Sequence, residues 1–208
     1  PEVGFIARVT PKGYTPPAMP DFESLSPEKL VEALRSPSHR RRLEAQRSLL
    51  RQTAAARVDR NSVLALLRDV AADATASKGS RIAAVNAMVL GFPQESKSRL
   101  PRMMSDEVLA PAILHALAGS AQPRGLVSPD WIERLLNSAN PVVRRTAANS
   151  ASRLVGLTAA PALVSHLADP DPIVAQAVVR ALTDISAVDA CLKVVDSVKV
   201  RPEVRTAA

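Results

Sequence analysis

One cysteine and three histidines are the side chains of this sequence that could serve as soft metal ligands or activated nucleophiles. A covalent c-type haem needs two thiols two residues apart and an adjacent histidine, whereas Cys191 stands alone and is followed by Leu192. The histidines are His39, His115 and His166, and no two have the one-turn spacing of a zinc-protease helix. We therefore predict no metal and no haem, a buried apolar role for Cys191, and structural or exposed histidines.

Other catalytic signatures are also missing from the sequence. It contains no glycine-rich phosphate loop, no dinucleotide-binding fingerprint and no Gly-x-Ser-x-Gly nucleophile elbow. Asp169 and Asp171 could be read as a carboxylate pair, but both flank prolines, and aspartates in turns commonly accept hydrogen bonds from the backbone. The expectation is a chain without cofactors that is not itself an enzyme.

A run of arginines is the strongest local feature. Eight arginines and only two acidic residues stand between Arg35 and Arg60. Arg40, Arg47 and Arg51 have spacings of seven and four, which place them near one face of a helix. Guanidinium groups suit carboxylate or phosphate, although a run of this kind more commonly forms a solvated face.

Two kinds of partner are compatible with this run. Single-stranded nucleic acid would require aromatic side chains for stacking, and Tyr14 and Trp131 are the only large polar aromatics. We expect Trp131 to pack within the fold. The arginines Arg40, Arg47 and Arg51 are therefore expected to contact a protein surface, either of a neighbouring domain or of another protein. A nucleic-acid-binding solenoid that uses the same arginines is kept as the alternative.

The composition indicates a helical protein with acidic partners. The 208 residues are 47% apolar but only 2% aromatic, so leucine, valine, isoleucine and alanine must fill the core. The formal net charge is +7, which favours acidic partners in general. No stretch approaches the ~18 apolar residues of a membrane span. The chain starts at Pro1 without a methionine and ends in mid-pattern, so we expect a piece of a longer protein, truncated at its C-terminus.

The elements that position these residues are paired helices. Residues 1–25 read as an extended strand over Val3–Thr10 followed by a proline-rich linker. From Ser26 onward, apolar residues recur at helical spacing in pairs of segments. The second segments align at positions 29 to 39 residues apart, which are Arg42, Arg81, Ala110, Arg144, Ala175 and Arg205. This periodicity predicts an all-α fold, an α-α superhelix of about five to six helical hairpins over residues 26–208.

The turn Asp169-Pro170-Asp171-Pro172-Ile173-Val174 resembles the HEAT-repeat motif. In that family an aspartate in the turn and an arginine in the second helix form a ladder between repeats. The resemblance implies basic ladder positions at Arg42, Arg81, Arg144 and Arg205, and an acidic one at Asp171. Ala110 and Ala175 depart from the pattern, so the implied ladder is partial.

A second resemblance lies in the first fifty residues. The segment Gly4-Phe5-Ile6-Ala7-Arg8-Val9-Thr10-Pro11-Lys12-Gly13, a proline-rich link and Leu25-Ser26-Pro27-Glu28-Lys29-Leu30-Val31 resemble a junction in large bacterial membrane-bound-dehydrogenase-type proteins. In these, a sorbosone/glucose-dehydrogenase-like propeller precedes a HEAT region, and a cytochrome c-type haem domain follows. The resemblance implies a non-catalytic scaffold module between such domains, in an extracytoplasmic parent protein.

Overall fold

A computed structural model describes residues 12–15, 17–96, 99–120, 123–197 and 202–207. The predicted strand Val3–Thr10 lies outside this part of the chain. The α-helices, in chain order, are α1 Pro27–Ala33, α2 His39–Ala54, α3 Arg60–Ala72, α4 Lys78–Gly91, α5 Pro93–Ser96, α6 Leu100–Met103, α7 Ala110–Ala118, α8 Pro129–Leu136, α9 Pro141–Leu154, α10 Ala160–Val164, α11 Pro172–Asp184, α12 Val188–Val195 and α13 Pro202–Ala207. A 3-10 turn, Gly156–Ala159, leads into α10.

These helices form six hairpins stacked in two layers. The second helices α2, α4, α7, α9 and α11 each pack against the next along the chain. The first helices α1 and α3, and likewise α8, α10 and α12, pack side by side in the other layer. Because a single hairpin leaves its apolar face uncovered, stacking of neighbours creates the continuous core. The predicted all-α solenoid of about five to six hairpins is confirmed.

Local sequence explains where the second helices begin. The side chain of the residue before each helix accepts a hydrogen bond from a first-turn N–H in α2, α4, α9 and α11, through Ser38, Ser77, Asn140 and Asp171. Proline occupies the first helical position of α9 and α11, where its missing N–H costs no hydrogen bond.

The core consists mainly of aliphatic side chains. Leu49, Leu67, Ile113 and Leu154 are among the fully buried residues. Alanines form much of the buried face of the second helices, and in α9 the buried alanines are Ala147, Ala148 and Ala151. Such small side chains let the helix backbones approach closely, which explains how a core nearly free of aromatic residues fills its volume.

Two first helices are shorter than their sequence pattern predicts. The pattern indicates one weak helix over Gln94–Met104, but the chain forms the short helices α5 and α6, because Pro101 cannot continue a preceding helix. The pattern also indicates one helix over Thr158–Leu167. In the structure, Gly156 has a φ of +64° and opens the 3-10 turn Gly156–Ala159. Only the five residues of α10 that follow this turn form an α-helix.

The packed unit begins before Ser26, where the sequence placed the end of a linker. Phe22 is buried in the core. Its carbonyl accepts a hydrogen bond of 2.8 Å from the hydroxyl of Ser48 on α2, and the carbonyl of Leu25 accepts one of 3.0 Å from Gln52. Residues 22–25 therefore pack against α2 and belong to the folded unit.

Candidate interaction surface

A buried ion pair joins the fourth and fifth repeats. Arg144, on α9, donates two hydrogen bonds to the carboxylate of Asp169, at 2.8 and 2.9 Å. The same guanidinium donates to the carbonyls of Ser138 and Ala139 at 3.0 and 3.1 Å. The Arg144 side chain is 13% exposed and that of Asp169 only 2%. The pair thus ties α9 to its own turn and to the turn of the following repeat.

Opposing effects set the charge state of this pair. Burial raises the pKa of Asp169, but hydrogen bonds from Arg144 and from the backbone N–H of Asp171 outweigh it, so the pKa lies below its ordinary value. The pKa of Arg144 is raised, chiefly by its hydrogen bonds to Asp169. Both groups are therefore charged at neutral pH.

A second pair has the same construction two repeats earlier. Arg81, on α4, donates to the carboxylate of Asp106 in the next turn and to the carbonyl of Ala71 at 2.9 Å. The backbone N–H of Val108 donates to this carboxylate at 2.8 Å, as Asp171 does to Asp169. In both pairs the aspartate follows its arginine by 25 residues.

The structure corrects the acidic position that the sequence motif implied. Asp171 accepts hydrogen bonds from the N–H groups of Ile173 and Val174 and serves as the N-cap of α11. Its carboxylate therefore points to its own helix, and Asp169 is the partner of Arg144. The common separation of 25 residues is the sequence signal that identifies Asp106 and Asp169.

Of the other two implied ladder arginines, the structure describes the side chain of Arg42 alone. Arg42 donates to the carbonyls of Ser36 and Pro37 at 2.7 and 2.9 Å, which matches the contacts of Arg144 with its own turn. Among the described contacts, Arg42 has no carboxylate partner. Arg205 belongs to α13, and its side chain lies outside the described part of the structure.

Several arginines of the first repeat are engaged within the fold. Arg47 pairs with Glu44 one turn away on α2, and Arg51 pairs with Glu23 of the N-terminal segment. Arg40 is exposed and has no hydrogen-bond or ion-pair partner among the described residues. The predicted interaction residues Arg40, Arg47 and Arg51 therefore lie on one exposed face of α2. Two of them, Arg47 and Arg51, already have carboxylate partners within the chain.

The run also supplies links between repeats that the sequence did not reveal. Arg35 pairs with Asp73 at 2.6 Å, which joins the first and second repeats. Arg60 pairs with Glu95 at 2.7 Å, and its guanidinium lies 4.8 Å from the ring centre of Phe92. In these two ion pairs the partners are 38 and 35 residues apart in sequence, and stacking of the repeats brings them together.

The outward side of the second-helix layer carries rows of polar and basic side chains. Because the second helices pack in chain order, equivalent positions of successive repeats form rows across this layer. One row, five residues beyond the aligned ladder positions, comprises Arg47, Asn86, His115, Asn149 and Arg180. The next row comprises Arg51, Leu90, Gly119, Arg153 and Asp184, all of them exposed. We call these two rows the second-helix face.

The remaining candidate residues occupy ordinary structural positions. Cys191 is half-buried rather than fully buried on α12. His39 and His115 are exposed, whereas His166 lies 2.9 Å from the carbonyl of Ala162 through Nδ1. Trp131 packs against the core with Arg134 over its ring at 4.7 Å.

Neither a metal-ligand cluster nor a membrane-spanning helix occurs in the described part of the chain. Across the described ranges, no three metal-ligating side chains of His, Cys, Asp or Glu form a cluster. Within those ranges, no helix combines the length and the apolar character that crossing a membrane requires.

A family model described as HEAT repeats matches residues 128–208. The match begins at Ser128, directly before α8, and covers the repeats that contain the Arg144–Asp169 pair. Comparison with curated proteins gave no match. Residues 128–208 are thus similar to HEAT repeats, and the helices that the structure describes stack as an α-α solenoid. Solenoids of stacked repeats offer extended surfaces for binding other proteins.

Proposed function

We propose that this chain is a non-catalytic protein-interaction or interdomain scaffold module of a larger dehydrogenase-type protein. The observation that carries the proposal is the second-helix face, an exposed surface of stacked helices that carries four arginines and one aspartate. Such a surface can contact a neighbouring domain over several repeats at once. The parent protein is proposed from the resemblance of the first fifty residues to the propeller–HEAT junction.

Within this proposal, Arg40, Arg47 and Arg51 contact the neighbouring domain. Arg47 and Arg51 have exposed carboxylate partners, and exposed ion pairs contribute only about 0–1 kcal/mol. A carboxylate of a partner protein can therefore take the place of Glu44 or Glu23 beside these arginines at little energetic cost. Arg40 is open to a partner without any exchange.

The proposal is tested by binding between the chain and its flanking segments. The complete reading frame is sequenced, the segments on either side are produced as separate proteins, and each is titrated calorimetrically into the chain. A linked domain experiences an effective concentration of about 1 mM, so even weak binding is meaningful and the titration extends to about that concentration.

Matched variants show whether the arginine surface is used. The triple variant Arg40→Ser, Arg47→Ser, Arg51→Ser is compared with Arg68→Ser, Arg99→Ser, Arg102→Ser, which removes the same charge at exposed positions outside the second helices. We expect the first variant to weaken binding by about tenfold or more and the second by about twofold or less. If neither flanking segment binds the chain, the scaffold proposal is contradicted.

The nucleic-acid alternative is decided with the same variants. A duplex is titrated at about 150 mM salt, where nonspecific attraction to a +7 surface is strongly screened. Tight binding at that salt, abolished in the triple variant, would replace the proposal with a nucleic-acid-binding solenoid.

A further inference from the structure

A groove lies between α9 and α11 on the outward side of the second-helix layer. Its larger part encloses about 370 Å³ and is lined by Arg145, Asn149, Ile173, Gln176, Ala177, Val179 and Arg180. A smaller part of about 190 Å³ continues it towards the start of both helices and shares Arg145 and Ile173. Both helices run in the same direction, so the groove follows two parallel helices across one repeat junction.

Apolar side chains in this groove are unusually exposed. Val142, Ile173 and Val179 are 48%, 57% and 45% exposed, although each belongs to a helix whose other face fills the core. Apolar side chains left in water favour contact with apolar groups of a partner. A purely phosphate-binding site would gain nothing from them.

Polar groups without partners alternate with these apolar positions. In the described part of the chain, the guanidinium groups of Arg145 and Arg180 form no ion pair and no side-chain hydrogen bond. The carboxamides of Asn149 and Gln176 likewise have no recorded partner among the described residues. Asp171, the carboxylate at the edge of the smaller part, is occupied as the N-cap of α11.

We propose that this groove binds an extended acidic peptide segment that carries aliphatic side chains. Arginines recognise carboxylates by paired hydrogen bonds, and carboxamides can both donate to and accept from a peptide backbone. Only an extended segment offers free backbone N–H and C=O groups, because a helix satisfies its own. The exposed valines and isoleucine then accept the aliphatic side chains of the segment.

This inference deepens the proposed function and rests on it, but uses residues remote in sequence from Arg40, Arg47 and Arg51. Nucleic acid is the alternative ligand of the groove, because Arg145 and Arg180 could also bind phosphate groups. The groove lacks an aromatic side chain for base stacking, and its exposed aliphatic residues favour a peptide.

The test selects ligands without assuming their sequence. Random short peptides displayed on phage are selected against the immobilised chain, and recovered peptides are synthesised and titrated by fluorescence anisotropy. We expect recovered sequences to be enriched in both acidic and aliphatic residues. A basic consensus, or no consensus, overturns the proposal.

Variants of the groove residues show whether the selected peptides bind in the groove. Arg145→Glu with Arg180→Glu should weaken binding by about tenfold or more, and Asn149→Ala with Gln176→Ala by about threefold or more. The control Arg68→Glu with Arg102→Glu has the same charge change at exposed positions outside the second helices, and its binding should stay within about twofold of the unmodified chain. Circular dichroism verifies that all variants are folded. Equal losses in the groove and control variants overturn the proposal.

The same experiment separates this inference from the proposed function. A short oligonucleotide that binds more tightly than the peptides, and loses binding in the arginine variants, makes the groove a phosphate site and overturns the inference. If the flanking segments bind the chain but no peptide depends on the groove, the inference fails while the scaffold function stands. If groove peptides bind but the flanking segments do not, the interdomain role fails instead.

Discussion

Arg144→Ala should strongly destabilise the fold. The change removes four hydrogen bonds, two to Asp169 and two to the carbonyls of Ser138 and Ala139. It also leaves the carboxylate of Asp169, only 2% exposed, without its cation. Breaking a buried pair by removing one partner costs about 3–5 kcal/mol, several times the value of an exposed pair.

The neighbouring residue provides the control. Arg145 is exposed and forms no ion pair among the described residues, so Arg145→Ala should change the free energy of unfolding by about 0.5 kcal/mol or less. Urea unfolding followed by circular dichroism measures both variants. For a chain of this size, the Arg144→Ala cost corresponds to a fall in melting temperature of roughly 6–20 °C.

A double-mutant cycle with Asp169→Ala separates the pair from its surroundings. Because the two side chains contact each other directly, the coupling energy should be about 1.5–3 kcal/mol. An Arg144→Ala variant no less stable than Arg145→Ala would refute the reasoning, because the pair would then contribute nothing beyond a surface charge.

Three further perturbations test the same structure. The pKa of Asp169 is lower in the folded chain than the ~3.9 of an unfolded aspartate. The ionised carboxylate therefore stabilises the fold fully above pH ~3.9, and this stabilisation is lost as the pH falls through the folded pKa. Asp169→Asn should make the dependence of unfolding on acid pH less steep. Gly156→Ala should cost about 1–2 kcal/mol in urea unfolding because of φ +64°, and Gly156→Asn should cost less, since asparagine tolerates this region. Phe22→Ala should lower the free energy of unfolding by about 3 kcal/mol; a change under ~0.5 kcal/mol would mean that the segment before α1 is only a linker.

Helix starts were the most accurately predicted features because their signals are local. Ser26 and Pro27, for example, are a residue that accepts from a first-turn N–H and a residue suited to the first helical position. Likewise, Pro129 begins α8 and Pro141 begins α9. The shortened α10 was missed, since a glycine at positive φ cannot be distinguished by type from one in a helix.

The sequence by itself determined the class of fold and the repeat spacing, because helical periodicity and capping residues are properties of neighbouring positions along the chain. Only the tertiary structure decided which charges meet. The choice of Asp169 over Asp171 depends on a turn geometry that directs one carboxylate to Arg144 of the preceding repeat and the other to its own helix. Likewise, the groove between α9 and α11 exists only because stacking places side chains from repeats about thirty residues apart along one line.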